Sequence, residues 1–232
     1  MKERPILFSG AMVRAILEGR KTVTRRAVKG HQIPKESPGE TDPELRWTAI
    51  GQRHPRWGFI VPGATEEQCA AALGIMGVCP YGKPGDRLWV RETWARVGTT
   101  DPGYLVYRAT YPACLPPGLE RVPADIRDAG YRWRPSIHMP RAACRILLEI
   151  TAVRVERLQG ISDEQAIAEG IERDAAHPTL WKRGPLLGDQ NIVQVTAFPK
   201  LAFRSIWESI NGAESWAANP WVWVVEFKRV TP

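Results

Sequence analysis

Hydrophobic and polar positions follow two rhythms along this chain. Ala11, Met12, Ala15 and Ile16 fall on one face at helical spacing behind Ser9, a good N-cap, and Gly19 stands where a left-handed residue ends a helix. Phe203, Ile206, Trp207 and Ile210 repeat at i, i+3, i+4 and i+7 after Pro199 and before Gly212, which predicts a strong amphipathic helix. Ser162 with Gln165 three positions later gives a capping box, and the helix it opens runs to Glu169 and stops at Gly170. Residues 6–8, 22–26, 87–94, 104–107, 144–158 and 221–227 are β-branched, aromatic or alternating, and read as strands or extended segments.

Between these elements the rhythm fades. Residues 27–82 are rich in Pro, Gly and charge, with a small helix predicted around 66–73, and residues 171–196 are similarly irregular. Both read as long insertions in a single domain spanning 1–232. Trp133 to Arg141 is bracketed by Pro135 and Pro140, which excludes a regular helix there. The expected class is therefore α+β, with short strands that close a small β-barrel and helices flanking its ends.

Composition narrows the picture. The chain has 232 residues and a formal net charge of +7, which favours phosphate-bearing or polyanionic partners. Ten tryptophans supply core and candidate stacking surfaces. No stretch approaches the ~20 apolar residues that span a bilayer, and the opening residues lack a secretory pattern, so a cytoplasmic protein without membrane association is expected. Cys69, Cys79, Cys114 and Cys144 form no CxxC pair, and the four histidines are scattered; free thiols are expected, with no metal centre and no cofactor.

Chemistry concentrates in Gly19-Arg20-Lys21-Thr22-Val23-Thr24-Arg25-Arg26, which places four cations and two hydroxyls directly after a helix stop. The run reads either as a basic surface strand or as a grip on an oxygen-rich substrate. In the strand that starts at Arg87, alternation puts Leu88, Val90, Glu92 and Trp94 on one inward face, so Glu92 is either paired with an arginine or functional.

The opening helix with this run resembles the signature of the ASCH domain, a PUA-like β-barrel. The Pro84-Gly85-Asp86-Arg87-Leu88-Trp89-Val90 turn and strand, the helix over 162–170 and the closing strand over 221–227 resemble the same family. With Trp133-Arg134-Pro135-Ser136-Ile137-His138-Met139-Pro140 as a second signature, the chain is similar to larger phage and prophage members. Small members include an amidohydrolase that cleaves the acetyl amide of N4-acetylcytidine. The resemblance implies a catalytic trio of Lys21, Thr24 and Glu169 and a modified cytosine nucleoside, free or within RNA, as substrate.

Amide cleavage needs a nucleophile, a base, an acid for the leaving amine and a stabiliser for the oxyanion. Thr24 supplies a hydroxyl; Lys21 serves as base when neutral or as oxyanion stabiliser when charged; Glu169, in the last turn of its helix, suits proton delivery to the amine. Arg26, Glu92, Trp94, Ser136 and His138 are candidate substrate contacts, each with a plain alternative as a surface, paired or core residue. The alternative functions are an RNA-binding module or ribonuclease on the same barrel, and a non-enzymatic accessory protein whose insertions bind other proteins.

Overall fold

The structure is a computed structural model that describes residues 1–54, 56–76, 78–98, 102–115, 123–183 and 194–231. Strand β1 (Glu3–Leu7) passes through the N-cap Ser9 into helix α1 (Gly10–Leu17), and β2 (Val23–Ala27) follows. The stretch read as irregular contains β3 (Lys35–Glu36), β4 (Trp47–His54), β5 (Trp57–Gly63) and α2 (Glu66–Ile75). Next come β6 (Arg87–Arg91), β7 (Trp94–Val97), β8 (Tyr104–Tyr107) and the long β9 (Leu147–Arg157). Helix α3 (Asp163–Ala168), the short strands β10 (Trp181–Lys182) and β11 (Val195–Thr196), α4 (Pro199–Asn211) and β12 (Trp221–Val230) complete the order.

The alternation of β12 explains the centre of the fold. Trp221, Trp223, Val225 and Phe227 face a core that includes Leu73 of α2 and Val90 of β6. Val222 and Val224 face a second core with Leu158, Phe203 and Trp207. A strand apolar on both faces belongs inside a sheet covered on both sides. It does so here, in a five-stranded sheet of order β1-β6-β9-β12-β2 in which only β1 and β6 run parallel. The α+β class expected from the sequence is found. The strands form an open sheet with β1 and β2 at its edges, and no closed barrel is found among the described residues.

Residues 27–82 are more ordered than their sequence suggests. β3, β4 and β5 make an antiparallel sheet that packs on α2 through Ala49, Val61, Cys69 and Leu73. The second expected insertion, 171–196, falls partly outside the described residues; its described part carries the β10–β11 pair. The strand expected over 87–94 splits: β6 ends at Arg91, and Trp94 begins β7, which pairs with β8. All four cysteines are free, and no helix among the described residues is long and apolar enough to cross a membrane.

Candidate functional site

Two helix ends converge on the start of β2. After α1 the chain turns through Gly19 at φ +75°, with Gly19 N–H donating to Ile16 O (3.1 Å) and Arg20 N–H to Ala15 O (2.9 Å). This paired closure, with a left-handed glycine, caps the helix carbonyls and reverses the chain. Lys21 N–H also donates to Ala15 O (3.0 Å), which fixes where its side chain begins. α3 opens on the Ser162–Gln165 capping box and ends with Glu169 as C-cap and Gly170 at φ +89°. Thr22 N–H then donates to Ala168 O (2.9 Å), tying the end of α3 to the entry of β2. A Cβ on Gly170 would stand 2.8 Å from Ala15 Cβ and 2.9 Å from Lys21 Cβ, so only glycine lets the two turns approach this closely.

The convergence brings Lys21 to Glu169. Lys21 Nζ donates to Glu169 Oε2 (2.7 Å), Glu169 O (2.7 Å) and Val23 O (2.8 Å). An ammonium has three N–H donors, so each donor is used. The Lys21 side chain is fully buried, and burial, the largest influence, pushes its pKa below the ordinary lysine value. The charge and hydrogen bond of Glu169 act against this shift, while Arg26 and Arg25 add to it. The Lys21 ammonium also lies 5.6 Å from the Phe8 ring centroid, and the Arg26 guanidinium 5.4 Å from it.

A third buried charge completes the cluster. Arg25 Nη1 donates to Glu169 Oε1 (3.3 Å), and its Nη2 donates to Gln165 Oε1 (2.7 Å) and Glu156 Oε2 (3.4 Å). Glu169 thus holds a lysine on one oxygen and an arginine on the other. Isolated buried ions cost several kcal/mol each, and only such multiple pairing makes the group tolerable. Sequence reasoning missed Arg25 and Gln165. The available signal was spacing: Gln165 and Glu169 lie four apart on one helix face.

Beside the cluster is a cavity of ≈ 270 Å³ whose walls include Thr24, Arg26 and Glu169 on one side and Phe203, Ile206 and Trp207 of α4 on the other. Lys21 is not among its lining residues; it sits behind Glu169, in contact with it. Trp207 is also buried, and among the described residues neither its Nε1–H nor the Nε–H of Arg26, both shielded from solvent, has a partner. The amphipathic spacing of α4 flagged Trp207 as core; that the residue also borders the cavity had no signal in the sequence.

The remaining candidates lie elsewhere. Glu92 is buried and takes both Arg145 Nε (2.8 Å) and Nη2 (2.9 Å), while Arg145 Nη1 donates to Thr110 Oγ1 (2.9 Å). Trp94 is buried with Tyr107 and Met139. Ser136 and His138 belong to a short 3-10 turn, with Ser136 half-buried and His138 exposed. None of these four lines the cavity beside Glu169. Lys21, Thr24, Arg26 and Glu169 are therefore brought together, and Glu92, Trp94, Ser136 and His138 are not part of that constellation. No family model, curated protein or solved structure matches this chain.

Proposed function

We propose that the chain is an amidohydrolase of the ASCH, PUA-like kind that removes the acyl group from N4-acylated cytidine-type nucleosides. The observation that carries this reading is the 2.7 Å contact between Lys21 Nζ and Glu169 Oε2, made across 148 positions of sequence, behind a cavity wall that includes Thr24. A buried, multiply paired carboxylate at a cavity edge is an expensive arrangement in a stable fold, and function is a common reason for it.

In the proposed reaction the Thr24 hydroxyl adds to the acyl carbon. Its proton passes to the Lys21–Glu169 pair, which returns it to the departing exocyclic nitrogen, so cytidine leaves as the neutral amine. Water then cleaves the Thr24 ester and releases the carboxylic acid. Lys21 has no spare donor for the developing oxyanion, because all three of its N–H groups are taken by Val23 O, Glu169 O and Glu169 Oε2.

Incubation of purified protein with N4-acetylcytidine, followed by chromatography, tests the reading. Release of cytidine and acetate in step with enzyme concentration is the expected result. Stable substrate at high enzyme concentration rules the reading out.

A further inference from the structure

A second, more spacious cavity lies apart from the Lys21–Glu169 pair. A cleft of ≈ 760 Å³ is lined by Lys2, Arg4, Lys29, Arg53 and Lys83, and Asp86 is the single carboxylate among the described residues of its wall. Asp86 is already committed: it accepts from Lys2 N–H (2.8 Å), Arg4 Nη1 (3.0 Å) and Lys83 N–H (3.4 Å). Arg53 is held by Met76 O. The ammonium groups of Lys2, Lys29 and Lys83 are exposed and have no partner among the described residues. Three uncompensated cations around one concavity raise the local concentration of anions and have nothing else to bind.

The cleft adjoins the smaller cavity. Lys29 lines both, and Tyr81, on the wall of the inner cavity, stands in sequence between Pro80 and Gly82 of the cleft wall. Much of the cleft is contributed by residues 29–82, within the 27–82 stretch that the resemblance leaves without a role. A nucleoside seated beside Thr24 and Glu169 would therefore have its sugar-linked phosphates leave past Lys29 into a basic channel.

We propose that this cleft holds the phosphodiester chain of a single-stranded oligoribonucleotide, with Lys29 at the junction where one cytosine base turns into the inner cavity. The identity of that base rests on the amidohydrolase reading; the grip on phosphates does not. Backbone binding of this kind is sequence-tolerant and strongly salt-dependent, and a base must leave its neighbours to enter a closed pocket, which a single strand permits at low cost.

The test uses a fluorescent, unacylated oligocytidylate, so binding is read without any chemistry. Three lysines in contact give a slope of log K against log salt of about −2, at roughly −0.7 for each phosphate neutralised on a single strand. The Lys2→Ala/Lys83→Ala variant is expected to bind more than tenfold more weakly at low salt, with the slope reduced to about −0.7. A control, Arg108→Ala/Arg132→Ala, removes the same charge from exposed residues outside both cavities and is expected to bind as wild type does. Equal losses in the two variants, unchanged binding by the Lys2/Lys83 variant, or competition by cytidine monophosphate as effective as by the oligomer would overturn the proposal. Wild-type protein that hydrolyses N4-acetylcytidine without binding the oligomer removes the cleft and keeps the hydrolase; binding without hydrolysis does the reverse.

Discussion

Glu169 shows how a single residue can carry both stability and chemistry. Its carboxylate faces Lys21 on one oxygen and Arg25 on the other, all three buried. Glu169→Ala leaves the buried Lys21 ammonium without a carboxylate and Arg25 with Glu156 alone as its counter-charge, and urea unfolding should show a loss of about 3–5 kcal/mol. Lys21→Met/Glu169→Gln removes both ends of the closest pair and should recover much of that loss while remaining inactive, which separates the two roles. Lys21 and Glu169 were legible in the sequence only through resemblance, because no local pattern joins residues so far apart along the chain. Arg25 was visible as a charge in a basic run; that its side chain is completely buried could not be read, since a strand edge covered by two helices looks the same in sequence as one facing water.

At the scale of elements, the ends of helices were the most readable features and the ones that build the site. Ser9, Gly19, Ser162 and Gly170 each cap where the sequence placed them, because caps are local chemistry. Gly170→Ala forces a side chain into a left-handed position and against Ala15 and Lys21, so both melting temperature and turnover should fall. Gly160→Ala, where nothing lies within 4 Å of the added carbon, should change neither.

The β4–β5 hairpin was not readable, and the reason is physical. Its inner face packs on α2 through Val61, yet Ile60 on the opposite face of β5 is 62% exposed, so apolar residues occupy both faces and the period-two signal is lost. A second tie is at Asp86, where the ends of β1 and β6 meet. Burial works against its carboxylate, but hydrogen bonds from Lys2 N–H, Arg4 and Lys83 N–H outweigh it and hold the pKa below the ordinary value of 3.8. The stability this contributes is present above that value and is lost as pH falls through the folded-state pKa. Asp86→Asn should therefore cost about 2–3 kcal/mol at neutral pH and progressively less in acid, as measured by urea unfolding across pH.

For the whole molecule, the class was legible and the closure was not. Alternating and apolar runs announced most strands of the central sheet, and the free state of all four thiols followed from their spacing. Whether strands close on one another depends on long-range pairing of β1 and β2, which no single segment encodes. Burial also sets an alkaline limit on the fold. The Cys69 and Cys79 thiols are each pushed up by burial to about 11 from 9.0. A raised folded-state pKa gives stability that is complete below the unfolded value and disappears as pH climbs through the folded one. Stability should accordingly decline between pH 9 and about 11, and Cys69→Ala/Cys79→Ala should flatten that decline in chemical unfolding across the range.

The most direct test of the account is the turnover number for N4-acetylcytidine in wild type, Thr24→Val and Glu169→Gln, each first shown to be folded by circular dichroism. Loss of the nucleophile or of the proton-transferring pair should lower turnover by 10²- to 10⁴-fold or more, with cytidine released at a measurable rate by wild type alone. Wild-type rates in both variants would contradict it.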